Sequence, residues 1–465
     1  MAAPACNALL AALARDRDFP RMNLLFSEMK EMGIAPNVVT YGILLNHLCK
    51  SGRINEALKV FDVMTGDGSE VKPDVIACNT IVSGFCKVGR VDEALGVLDR
   101  MRTEYECEPN VVTFNCLMDG FCKGGEIGKA YELVGRMERE GVTPNVVTLN
   151  TLVSGMCRDG KVGGALDFFR QKKNYWAGIR GNAVTYSNLI GGFLHANNVG
   201  RAMDMYDEML REGQSPDPIL YFTMISGLAE AGKVEQACSV ASDMRNKGFR
   251  LDVKSYNILI SGFCKRKKLD RAWCMFEEMK EGGLKPDVIT YNTLIAASCK
   301  TGDFPMACQL LNQMKGDGFQ PSVVTYGALI HGYCKSGNLE EAMKFFKSMD
   351  GNVVPPNTVI YNILIDALCK GKDVDAAMRL VDEMRNKGVR LNVTTYNAMF
   401  KGLHEKNMSE EAFKLIDRMV EEGCDPDYVT MEILTEWLSA IGELERLRCF
   451  VQGEEGCYLG SIVNH

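Results

Sequence analysis

Apolar residues along this chain fall at helical spacing, in short runs that restart roughly every 35 residues. The stretch from Val253 shows the form. Tyr256, Leu259, Ile260 and Phe263 share one helical face, and Cys264 with a basic stretch closes it. A second helix from Leu269 carries Ala272, Phe276 and Met279, and Gly283 ends it, as a glycine past the last turn commonly does. An alanine marks the same point of each copy: Ala57, Ala94, Ala130, Ala165, Ala202, Ala237, Ala272, Ala307, Ala342, Ala377 and Ala412, with every step from Ala202 onward being 35 residues. Methionine keeps the same register from Met29 to Met419, and cysteine from Cys49 to Cys369. Twelve repeats begin at Ala3, Val38, Val75, Val111, Val146, Ala183, Pro218, Val253, Val288, Val323, Thr358 and Val393, and a degenerate thirteenth at Tyr428. One helix pair cannot bury its apolar face alone, so the pairs must stack. The expectation is an all-α solenoid of about twelve 35-residue helix–turn–helix repeats over residues 3–427, with a degenerate repeat and tail over 428–465.

The joints between repeats are similar. Pro286-Asp287-Val288-Ile289-Thr290-Tyr291-Asn292 is the clearest. Proline and a small polar residue stop one helix, and the threonine is expected to be the N-cap of the next. Between the two helices many repeats place a glycine, as at Gly52, Gly89, Gly125 and Gly302, and some an asparagine, as at Asn197 and Asn407. Both types adopt the left-handed conformation at low cost.

Composition narrows the class. The chain has 465 residues, a net charge of -7, 46% apolar and 24% charged residues, which is ordinary for a folded soluble protein. No apolar run is long enough to span a bilayer. The 18 cysteines form no Cys-x-x-Cys pair and suit no zinc site, so they are expected to be small buried hydrophobes. No cofactor or metal is expected. Residues 1–20 hold Asp16 and Asp18 and already fit the repeat, so they do not read as a targeting segment. Either the protein is cytosolic or its natural N-terminus is longer.

The repeat reads Val-Val-Thr-Tyr-Asn-x-Leu-Ile-x-Gly-x-Cys-Lys-x-Gly, then a Glu-Ala pair, then Phe-x-x-Met-x-x-x-Gly-x-x-Pro-Asp/Asn. A tetratricopeptide pattern would have 34 residues and an in-register tryptophan, but Trp176, Trp273 and Trp437 share no register. The motif closely resembles the pentatricopeptide repeat family of organellar RNA-binding proteins, and its uniform length resembles the family's pure-repeat subclass. The resemblance implies a right-handed solenoid that binds single-stranded RNA, one base per repeat, in mitochondria or plastids of plants. It implies site occupancy rather than catalysis, with a separate nuclease or processing factor as a further partner and no membrane association. Members that edit RNA carry a C-terminal zinc site needing His-x-Glu and Cys-x-x-Cys; residues 428–465 contain neither. The rival reading is a protein-binding scaffold, which should show varied residues on the presumed concave face.

Two polar columns carry the RNA reading. Counting from each repeat's first residue, the fifth positions are Asn7, Gly42, Asn79, Asn115, Asn150, Ser187, Phe222, Asn257, Asn292, Gly327, Asn362 and Asn397. The last positions are Asn37, Asp74, Asn110, Asn145, Asn182, Asp217, Asp252, Asp287, Ser322, Asn357, Asn392 and Asp427. Asparagine is a mediocre helix former, so helix stability does not explain its recurrence, whereas an amide matches a base's Watson–Crick edge. A turn residue after proline is the bland account of the last column. By resemblance, Asn with Asp favours U, Asn with Asn or Ser favours pyrimidine leaning to C, and Ser with Asp favours G. The site would read pyrimidine, G, three pyrimidines, G, any base, U, C, A, pyrimidine, U. Gly42, Gly327 and Phe222 offer no polar side chain at the second, tenth and seventh letters.

By resemblance too, the second residues clamp each base: Val39, Ile76, Val112, Val147, Val184, Ile219, Ile289, Val324 and Val359. Core packing is their bland account, and Lys254 and Thr394 depart from the pattern. The tyrosines at the fourth position, such as Tyr41, Tyr186, Tyr256 and Tyr291, are expected to be buried packing. A basic column follows the cysteines: Lys50, Lys87, Lys123, Arg158, Lys265, Lys300, Lys335 and Lys370, extended by Arg15 and broken at His195, Glu230 and Glu405. The acids gather instead on second helices, as at Asp92-Glu93 and Glu340-Glu341. That separation lets the cations meet phosphates although the net charge is negative. A solvated helix end is the bland account.

Overall fold

A computed structural model describes residues 2–16, 18–66, 71–176, 178–351 and 354–443. Among the described residues there are 25 helices and no strand. The first helices of the second to twelfth repeats start at Val38, Val75, Val111, Val146, Ala183, Pro218, Val253, Val288, Val323, Thr358 and Val393. The first repeat opens with Ala2–Arg15, and the thirteenth with Tyr428–Ala440. The part of the expected tail beyond residue 443 lies outside the described residues.

The joint works differently from the expectation in one respect. Threonine is not the N-cap. The cap is the last residue of the preceding repeat, and the threonine stands three places further on. At the joint before Val288, Asp287 accepts the Thr290 backbone N–H at 2.9 Å, while the Thr290 hydroxyl accepts the Asp287 N–H at 3.2 Å. Both residue types favour caps, and a reciprocal capping box uses both. The same box recurs at Asn37, Asn110, Asn145, Asn182, Asn392 and Asp427. At the helix C-termini, left-handed residues include Gly52, Gly302, Asn197 and Asn407, together with Lys267 and Lys372, which composition had not singled out.

Packing follows the columns. The alanines from Ala57 to Ala412 are fully buried, which lets each second helix approach its neighbours closely. The methionines of the register are buried as well. The fourth-position tyrosines are buried, and several send the hydroxyl to an acid at the far end of their own helix pair, as Tyr256 does to Glu278 and Tyr396 to Glu422. Six cysteines of the register, Cys49, Cys86, Cys122, Cys157, Cys299 and Cys369, are free thiols and fill the space beside a glycine of the next first helix, whereas Cys274, off the register, is exposed. At Gly120 an added Cβ would lie 2.7 Å from the Cys86 sulfur, so only glycine lets those helices meet. Burial pushes these thiols up, Cys86 and Cys299 to about 12, consistent with packing rather than reactivity.

The described residues fall into two compact halves, divided between Phe249 and Arg250. In the first, the first helices pack in sequence from Ala2–Arg15 to Pro218–Glu230; in the second, from Val253–Lys265 to Tyr428–Ala440. Each half is thus an α-solenoid in which first helices form a continuous stack, each backed by its own second helix. Among the described residues no helix is long and apolar enough to cross a membrane.

Candidate nucleic-acid interface

The second-position residues are not core. Val39, Ile76, Val112, Val147, Val184, Ile219, Ile289, Val324 and Val359 are between 50 and 75% exposed. Leaving a branched aliphatic in water forgoes about 1.5–3 kcal/mol of burial per side chain. A regular series of them lies exposed along the first helices. Lys254 and Thr394, which break the series, are exposed too.

The fifth and last columns meet. The fifth-position amide nitrogen donates to the side-chain oxygen of the last residue in the pairs Asn7–Asn37, Asn79–Asn110, Asn115–Asn145, Asn150–Asn182, Asn257–Asp287, Asn362–Asn392 and Asn397–Asp427, at 3.0–3.4 Å. A third partner comes from the next repeat. Thr40, Thr113, Thr148, Thr185, Thr290, Thr325, Thr395 and Thr430 donate their hydroxyls to the amide oxygens of Asn7, Asn79, Asn115, Asn150, Asn257, Asn292, Asn362 and Asn397, at 2.5–2.8 Å. The recurrence of asparagine therefore has a structural component that helix propensity does not capture. The amide ties a first helix to the N-terminus of the following one.

Capping also sets the polarity of the last residue. Asn110 turns its Oδ1 to the Val112 and Thr113 backbone N–H groups, at 3.0 and 3.2 Å. Its Nδ2 must then face away from the helix, as a donor. Asp287 has no such donor. Its second oxygen accepts from the Asn257 amide at 3.2 Å, and a carboxylate oxygen has lone-pair capacity for a further donor. Burial raises the Asp287 carboxyl, but hydrogen bonds from the Thr290 N–H and the Asn257 amide outweigh it and hold the group below the usual carboxylate value. Asp427 is lowered by the Thr430 N–H and the Asn397 amide.

Around Asn79 the columns share one open cleft. Ile76 and Val112 stand as neighbouring second-position residues, Asn79 and Asn110 supply the polar groups, and Lys50 and Lys87 lie at its margin. The whole basic column is exposed. Lys123 is bound to Asp119 at 2.6 Å and Lys370 to Asp366 at 2.7 Å, while Lys50, Lys87, Arg158, Lys265, Lys300 and Lys335 have no ion pair among the described residues. Acids on second helices are partly engaged in ladders between repeats, such as Arg136–Asp99 at 2.6 Å and Arg385–Glu422 at 3.0 Å. Gly42 and Gly327 leave the fifth position without a side chain, Ser187 turns its hydroxyl back to the Ala183 carbonyl, and Phe222 is exposed. The threonine contact to the asparagine had not been read from the sequence, although the pairing of the two columns was visible there.

Comparison with known proteins agrees with this architecture. Models described as "PPR repeat family" match residues 73–123, 109–158, 181–221, 216–265, 251–299, 286–335, 321–359, 356–405 and 392–439, and models described as "PPR repeat" match 5–34, 32–65 and 147–174. Two pentatricopeptide repeat-containing proteins of Arabidopsis thaliana, one of them named mitochondrial, are each 53% identical over 74 residues. That alignment takes in 15% of this chain and 10% of either relative's length. The crystal structure of the pentatricopeptide repeat protein PPR10 from maize is similar over 98% of this chain and 74% of its own, with 25% identity and a TM-score of 0.50. PPR10 has also been solved with an 18-nucleotide psaJ RNA element; that structure aligns with a TM-score of 0.40 and 24% identity, over 98% of this chain and 85% of its own. With matching models across most of its length, the chain belongs to the PPR repeat family.

Proposed function

We propose that the protein binds single-stranded RNA in a sequence-dependent way, with residues 3–427 as twelve reading repeats of one base each. The observation that carries this is the register of exposed aliphatic residues beside paired polar side chains, as in the cleft of Ile76, Asn79, Asn110 and Val112. A base is a flat apolar disc with a polar edge. Aliphatic side chains suit its faces, and the fifth and last residues suit its edge. Only an unpaired base presents that edge, so single strands are favoured over duplex. The free lysines of the basic column would meet the phosphates.

The capping geometry supports the letters. An outward Nδ2 of Asn110, Asn145 or Asn182 donates to N3 of cytosine. The spare acceptor of Asp287 or Asp427 takes the N3–H of uracil. The binding would act by occupancy in organellar RNA processing, stability or translation, with no catalysis of its own and with a separate nuclease or processing factor as a further partner. The mitochondrion is the proposed compartment, with the chloroplast as the alternative. The test is a selection from a random RNA pool with purified protein. Enrichment of three pyrimidines at bases three to five and U at bases eight and twelve is expected. Purines at bases three to five would refute the register, and equal affinity for duplex and single strand would refute the ligand class.

A further inference from the structure

Each asparagine at a fifth position is matched by a threonine at the third position of the following repeat, and no other fifth-position residue is. Gly42 is followed by Ala77, Ser187 by Leu220, Phe222 by Ser255 and Gly327 by Ile360. Capping does not account for this match. Asp74, Asp217 and Asn357 cap their helices over Ala77, Leu220 and Ile360 through the backbone N–H, at 2.8, 2.7 and 3.1 Å. A threonine needed only for a cap has no reason to track a residue 33 to 35 positions upstream.

The hydrogen-bond inventory says what it does. The Thr290 hydroxyl accepts the Asp287 backbone N–H, so its single proton is left for a side-chain oxygen. Two lie in reach: Asn257 Oδ1 at 2.5 Å and Asp287 Oδ1 at 2.9 Å. The asparagine oxygen is the nearer in every repeat for which both distances are known, for example 2.6 against 3.3 Å at Thr113. An asparagine amide has a soft, nearly two-fold terminal torsion and presents either nitrogen or oxygen. A hydroxyl proton on Oδ1 selects one of the two.

We infer that the third-position threonine of the following repeat is a positioning residue: it fixes the reading asparagine with one amide N–H on the last-position oxygen and the other available to the base, so that a letter is set by three residues from two successive repeats. This rests on the base-reading function proposed above and adds a residue to it. It also makes Gly42 and Gly327 incomplete letters for two reasons, a missing amide and a missing anchor.

The test builds a letter where there is none. Nothing lies within 4 Å of the Cβ position of Gly42, so an asparagine there has room. Full-length Gly42→Asn, Ala77→Thr and the double variant are titrated in competition against two twelve-base RNAs differing only in U or G at the second base. The double variant should shift the preference toward U by about tenfold, the scale of one base-edge contact, and each single variant by no more than about threefold. Gly42→Asn alone matching the double variant would overturn the inference. A second arm uses Thr290→Val and Thr290→Ser with RNAs differing at the eighth base. Valine should reduce discrimination there by about tenfold and leave the other bases unchanged, and serine should restore it. A loss spread evenly over all bases points to capping alone and overturns the positioning role. Wild type serves as the control for the underlying reading. No discrimination by wild type at the eighth base would sink base reading and this inference together, while full discrimination kept in Thr290→Val would sink only the inference.

Discussion

Asp287 holds two groups with one side chain: the Thr290 backbone N–H at 2.9 Å and the Asn257 amide at 3.0 Å. The cap of the ninth repeat and the proposed letter of the eighth are therefore the same residue. A helix N-terminus barely distinguishes aspartate from asparagine, since both caps rank together. A base edge does distinguish them, because one is an acceptor and the other a donor.

Asp287→Asn should thus change the eighth letter and leave the fold alone. The preference at the eighth base is expected to move from U to C by about tenfold or more, corresponding to roughly 1–3 kcal/mol for a base-edge contact. Asparagine keeps the cap but loses the charge at the helix N-terminus, so thermal stability at neutral pH should fall only modestly, by about 1 kcal/mol or less. A competition titration with two RNAs differing at that base, alongside a thermal melt, reads both. An unchanged base preference would remove the last column from the reading.

The same carboxylates give a pH signature. Asp287 and Asp427 are both held below their usual value in the folded chain. The unfolded chain then binds more protons at acid pH, so their contribution is present above about pH 4 and lost as pH falls through the lower folded values. The unfolding midpoint of wild type should fall more steeply between about pH 4.5 and 2.5 than that of Asp287→Asn with Asp427→Asn. Parallel curves would mean that the cap network leaves these groups unshifted.

The exposed aliphatic column separates binding from stability. Ile289 is 63% exposed, whereas Ile295, on the same helix, is fully buried. Ile295→Ala should cost about 2–5 kcal/mol of stability through the cavity it leaves. Ile289→Ala should cost no more than about 0.5 kcal/mol and still weaken RNA binding. Chemical denaturation and filter binding on both variants decide the matter. A large stability loss at Ile289 would return this column to packing.

These residues also show what the sequence made legible. Helix starts such as Val288 and Val323 were readable to the residue, because proline, a small polar residue and a branched pair are local chemistry repeated many times. Which residue caps was not, because Asp287 and Thr290 are both cap formers three places apart, and the capping box engages both. The exposure of Ile289 was open for a related reason. Helical periodicity places it beside the core face but does not say where that face ends. The Thr290–Asn257 contact joins residues 33 apart. Helical periodicity does not reach that far, and only the matching of two columns within the chain signals it.

The basic column gives the last prediction, because its members are not equivalent. Among the described residues Lys265, Lys300 and Lys335 are exposed without an ion pair, and Lys123 and Lys370 are held by Asp119 and Asp366. Each lysine that neutralises a phosphate of a single strand adds about 0.7 to the slope of log affinity against log salt. Reversing Lys265, Lys300 and Lys335 to glutamate should lower that slope by about 2 and weaken all RNA sequences alike. The paired lysines lead to the opposite variant. Asp119→Asn with Asp366→Asn removes two competing anions beside the proposed phosphate path, so RNA should bind more tightly at low salt, with the gain fading as the salt rises. Filter binding between about 50 and 300 mM salt measures both effects over the range in which screening changes most. If the charge reversals leave the slope where it was, these lysines are solvated helix ends. If the two aspartate variants gain nothing at low salt, Lys123 and Lys370 lie off the path of the RNA backbone.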